Sequence, residues 1–143
     1  MAEIINSRIS YSSEIVQRID TNIIGRFGSK IGSVLVEEFP REPNETELQY
    51  YVRLLKLTHW NLTDDMITWN STNSITLNSN SCGFPIGLRK LTGLECYSCA
   101  SAHVWLLRKF AESLKLNLKI TIIKEPTLKE PNSCAFLVEV NNK

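Results

Sequence analysis

The stretch NLKITIIKEPTLKEPNSCAFLVEV, residues 117–140, decides the fold. Leu118, Ile120 and Ile122 alternate with Lys119 and Thr121, the period-two pattern of a strand with one buried face. Cys134, Phe136, Val138 and Val140 share a side in the same way, and Glu139 points away. Between them lies KEPTLKEPN, residues 124–132, rich in turn formers. Two strands, Asn117–Lys124 and Cys134–Val140, therefore form a predicted hairpin with one apolar side.

Before this pair comes ECYSCASAHVWLLRKFAESLKL, residues 95–116, which reads as a helix. At 100° per residue, Arg108, Glu112 and Lys115 make one charged side. Cys99, Leu106 and Phe110 lie opposite, flanked by Cys96, His103 and Leu114. Trp105 falls nearer the charged side, where a ring serves an interface or lies over a neighbouring element.

Further back, Met66–Asn70 and Ile75–Asn78 read as two short strands joined by the polar Ser71–Ser74 segment. Residues 79–93, SNSCGFPIGLRKLTG, are loop-like yet carry Phe84, Ile86 and Leu88. An apolar loop must cover something, so it reads as a lid over the core or over a pocket. Residues 12–38 form a predicted long helix with an apolar stripe of Val16, Ile19, Ile23, Phe27, Ile31, Val34 and Leu35. Gly25, Gly28 and Gly32 make a smooth strip beside that stripe. The strip suits close packing inside the domain, and a dimer contact or a ligand gap are its other readings. A second helix runs from about Glu45 to Trp60, with Asn44 as cap and Glu47 closing a capping box.

The element order is helix, helix, hairpin, helix, hairpin. It predicts an α+β fold with one antiparallel four-stranded sheet and helices packed on one face. At 143 residues, the chain has the size of a single domain spanning 1–143. Apolar residues make up 43% and charged residues 22%, enough to bury a core. The formal net charge is +1 and no Lys/Arg run occurs, so nothing marks a nucleic-acid surface. No apolar run approaches a bilayer span, and MAEIINSRISYSSE lacks an apolar signal core. A soluble cytoplasmic protein is the expectation. Three Asn-X-Ser/Thr triplets, at Asn44, Asn61 and Asn70, carry no meaning without secretion.

Four cysteines, Cys82, Cys96, Cys99 and Cys134, are the chemically distinctive residues. In a reducing compartment they admit three readings. They are small core residues, metal ligands, or a redox pair. Redox chemistry of the thioredoxin kind wants a CxxC after a strand in a βαβ unit, and here a glycine-rich loop precedes it. No serine nucleophile elbow, phosphate loop or HExxH occurs, so no catalytic residues stand out.

Three pieces, ITLNSNSCGFPIG (75–87), the cysteine-headed helix (95–116) and ITIIKE…EPNSCAFLVEV (120–140), resemble the 4-vinyl-reductase-like, hydrocarbon-binding domain family. The small subunits of the TRAPP vesicle-tethering complexes are its distant fold relatives. The resemblance covers about half the chain. It implies a stand-alone sensor or carrier domain that binds a small, mostly apolar molecule, commonly as a homodimer. It also implies a zinc site of cysteines and a glutamate near the cavity. Carried onto this chain, Cys96 or Cys99 matches the helix cysteine, Glu125 the glutamate and Cys134 the final cysteine. The family has a further cysteine between the last two, where this chain reads PTLKEPNS. Cys82 or the second helix cysteine would stand in for it. The expected ligand walls are Trp69, Phe84, Ile86, His103, Leu106, Phe110 and Phe136. Two other functions stay open: a dimeric TRAPP-like assembly protein using the glycine strip and Trp105, and a reductase acting on a bound ring.

Overall fold

A computed structural model of the chain describes residues 13–58, 62–79, 100–125, 127, 129–130 and 133–141. Its helices are α1 (Ser13–Glu38), α2 (Glu47–Lys56) and α3 (Ala100–Ser113). Its strands are β1 (Ile67–Ser71), β2 (Ser74–Ser79), β3 (Leu118–Lys124) and β4 (Cys134–Val140). A 3₁₀ turn, Asp64–Met66, leads into β1. Every neighbouring pair of strands is antiparallel, in the order β1-β2-β4-β3. The α+β class and the order read from the sequence are those of the structure.

Register sets which side chains meet. Ile75 pairs with Val138, which pairs with Ile120 on its other side. Leu77, Phe136 and Ile122 form the next row. These rows face the helices, and Ile75, Val138 and Ile120 are almost wholly buried. The opposite face presents Thr68, Thr76, Thr121, Lys119 and Glu139, interrupted by Leu137 and Ala135. Alternation of apolar and polar residues is thus what turns one face of the sheet inward.

α2 fills the core from the other side with Leu48, Tyr51, Leu54 and Leu55, all buried. Each such aliphatic side chain contributes on the order of 1.5–3 kcal/mol by leaving water. Tyr51 Oη donates to the Leu107 carbonyl at 2.9 Å, and its ring meets Phe110 at 5.8 Å, so α2 is pinned to α3. Tyr50 Oη donates to the Phe39 carbonyl at 2.8 Å and ties α2 back to the end of α1.

The cap of α2 differs from expectation. Thr46, not Asn44, accepts from the Gln49 amide, and Gln49 Oε1 accepts from the Thr46 amide. Thr46–Gln49 and Asn44–Glu47 have the same spacing. Glu45 decides between them, because its carboxylate is engaged by Arg53 at 2.7 and 2.8 Å and holds the turn before the helix. α2 also ends at Lys56 rather than Trp60, with Leu57 as its C-cap. α3 ends three residues earlier than expected, in a Schellman turn. The Leu116 amide donates to the Ala111 carbonyl and the Lys115 amide to that of Glu112. Lys115 sits at φ 60°, a position that usually takes glycine.

α1 packs along α3 through the glycine strip. A Cβ on Gly28 would lie 2.8 Å from the Leu106 carbonyl oxygen. A Cβ on Gly32 would lie 1.6 Å from Ser113 Oγ and 3.2 Å from the Phe110 carbonyl oxygen. The contacts advance together along both helices, so α1 and α3 run in the same direction. Gly28 and Gly32 therefore serve packing inside the chain.

Candidate functional site

The segment 80–99 carries the expected lid and three of the four cysteines, and its structure lies outside the described residues. Its two anchor points are described. It leaves the sheet after Ser79, which pairs with Cys134 at the start of β4. It returns at Ala100, the first residue of α3. α3 reverses into β3 through a tight turn, and Arg108 reaches Ile120, so the helix runs antiparallel to the strand. Its head therefore points toward the Lys124 end of β3, where Lys124 pairs with Ala135. Ser79, Glu125, Cys134 and the head of α3 thus gather at one end of the sheet.

The expected wall residues divide into groups. Phe110 is 1% exposed and Phe136 5%, and both belong to the main core. Leu106 is buried against Gly28 of α1 rather than over the sheet. His103 is half-buried, one turn into α3. Trp69 stands apart: it is 46% exposed on the outer strand β1. Alternation correctly puts it on the helix-facing side, but no described element covers that corner. Phe84 and Ile86 lie outside the described residues.

Of the expected metal ligands, Cys134 is 3% exposed and Glu125 is exposed just beyond β3. Cys82, Cys96 and Cys99 lie outside the described residues. Among the described residues no group of three or more His, Cys, Asp or Glu side chains could hold a metal ion. A zinc site built on Cys134 and Glu125 would need at least two ligands from segment 80–99 to reach the usual four.

An open cleft of about 320 Å³ lies between α3 and β3. Arg108, Glu112 and Lys119 line it together with the apolar Ala111, Leu116 and Leu118. Its lining mixes charged and apolar side chains. Sequence reasoning missed this cleft, because Arg108 and Lys119 look like ordinary solvated positions.

Among the described residues no helix is long and apolar enough to cross a membrane. The sequence matches no protein-family model and no curated protein.

Proposed function

We propose that the chain binds a small, mostly apolar molecule at the end of the sheet where β2, β4 and α3 meet. The observation that carries the reading is that Ser79 and Ala100, the residues flanking segment 80–99, lie at one end of the sheet with Cys134. Phe84, Ile86 and Leu88 fall in sequence between Ser79, which pairs with the buried Cys134, and Ala100 at the head of α3. The resemblance to the hydrocarbon-binding domain family supports the same reading, as does the helix-helix-hairpin-helix-hairpin order. The half-buried His103 lies one turn into α3 from that end and is the polar side chain we assign to orienting the ligand. Cys134 and Glu125 are the described residues that a zinc ion at this end would use.

A thermal-shift screen with fatty acids, isoprenoids and polycyclic aromatics tests the reading. A ligand at one hundred times its Kd stabilises the folded state by about 2.7 kcal/mol. That corresponds to a rise in Tm of roughly 5–11 °C for a domain near this size. No shift with any of these classes would count against it. Elemental analysis of the same sample tests the metal: one zinc per chain supports the site, and zinc-free protein removes it. The assembly reading draws less from the structure, since Gly28 and Gly32 face Leu106 and Ser113 of their own chain.

A further inference from the structure

β3 is an outer strand: among the described residues it has β4 on one side only. In an antiparallel pair, alternate residues direct both main-chain groups toward the partner. Asn141 donates to the Asn117 carbonyl, which fixes Asn117, Lys119 and Thr121 as the residues bonded to β4. Leu118, Ile120 and Ile122 therefore point their amides and carbonyls outward. The strand reads LKITIIK, a run of β-branched residues of the kind that adds further strands at an open edge. Ile123 adds an apolar side chain that is 53% exposed.

One outward carbonyl is already taken. Arg108 bends from α3 around the edge, and its Nε and Nη2 donate to the Ile120 oxygen at 3.0 and 2.7 Å. Ile120 is the middle of the outward set. Any strand lying antiparallel on this edge would need that carbonyl for its own amide. The other protections at this edge are a register shift between Ile122 and Lys124, and the charges of Lys119 and Lys124 that flank the apolar run.

We infer that Arg108 guards the β3 edge against a second copy of this chain: its guanidinium occupies the Ile120 carbonyl and blocks symmetric strand-to-strand addition. The identical edge is the natural occupant, because two copies of 118–122 related by a two-fold axis at Ile120 place Leu118 opposite Ile122 and set no like charges against each other. Any oligomer of the unaltered chain then uses another surface.

The test compares sedimentation equilibrium of the full chain with that of Arg108→Met, which keeps the apolar stem and removes every donor. Self-association is expected to strengthen at least tenfold, and the amides of Leu118, Ile120 and Ile122 to become protected from hydrogen exchange in the assembled form. Adding Ile123→Lys, a charge on the exposed side of the same strand, should return association toward the starting level. A folded Arg108→Met chain with unchanged association would overturn the inference, as would assembly that leaves those three amides exchanging. If Arg108→Met does not fold, Arg108→Lys decides. It keeps the charge with a single donor group, so an association constant above that of the unaltered chain supports the guard and an equal one overturns it.

Discussion

Replacing Gly28 and Gly32 by alanine gives the sharpest test of the packing described here, because two physical effects oppose each other. In an exposed helix, glycine to alanine gains about 1 kcal/mol from backbone entropy. At Gly28 the new methyl would stand 2.8 Å from the Leu106 carbonyl oxygen, a main-chain atom that cannot swing away. At Gly32 it would stand 1.6 Å from Ser113 Oγ and 2.8 Å from Ser113 Cβ. Rotating the hydroxyl clears only the first contact. It also breaks the 2.6 Å hydrogen bond from Ser113 Oγ to the Phe110 carbonyl, at a cost of about 1 kcal/mol. Forcing the helices apart costs about 1–3 kcal/mol, as overpacking generally does. The net expectation is a loss of about 1 kcal/mol for Gly28→Ala and about 2 kcal/mol for Gly32→Ala, read by urea denaturation followed by circular dichroism. Ser33→Ala, on the exposed side of α1, is the control and should change stability by a few tenths of a kcal/mol. Ser113→Gly removes the obstructing atoms, so Gly32→Ala should cost at least about 1 kcal/mol less in that background. If both alanines instead stabilise the chain by the propensity value, α1 does not lie against α3 through its glycines.

Lys115→Gly should stabilise the chain by about 0.5–1 kcal/mol in the same assay, since only the side chain makes φ 60° costly. Tyr51→Phe should cost about 1 kcal/mol by removing the donor to the Leu107 carbonyl. Burial pushes the Tyr51 hydroxyl well above the usual tyrosine range near 10, so the stability linked to its neutral form is complete below pH 10 and lost as the pH rises beyond it. The alkaline loss should be smaller in Tyr51→Phe. The hydrogen bonds from Arg53 hold the Glu45 carboxyl below its ordinary value of 4.5, with the charge attraction of Arg53 and Arg41 adding to them. A lowered value means that this stabilisation is full above about pH 4.5 and lost as the pH falls through the folded-state value. The stability gap between the unaltered chain and Glu45→Gln should close over that acid range.

The sheet was legible in the sequence because its signal is local. The alternation through Leu118–Ile122 and Cys134–Val140 needs no knowledge of neighbours, and it places Ile120, Phe136 and Val138 in the core where the structure has them. Helix ends were less legible because they turn on competition. Asn44–Glu47 and Thr46–Gln49 obey one spacing rule, and the ion pair between Glu45 and Arg53 decides between them from eight residues away. The end of α3 escaped notice because lysine, not glycine, fills the left-handed position. Trp69 shows the limit of periodicity, which gives the face a residue is on but not whether anything covers it. Arg108 shows another: a charged side of a helix reads as solvated until the strand beside it turns out to be an edge. The candidate site was legible only in part. The family resemblance implied that Cys134 and the head of α3 belong together, and the register Ser79–Cys134 and Lys124–Ala135 brings their ends of the fold to one place.

Native mass spectrometry of the purified full chain, before and after incubation with the apolar ligand classes, tests the proposed function most directly. One small molecule per chain, acquired either during expression or from the incubation, is expected to be retained and to be released on denaturation. The mass of the bare polypeptide under every condition would contradict it.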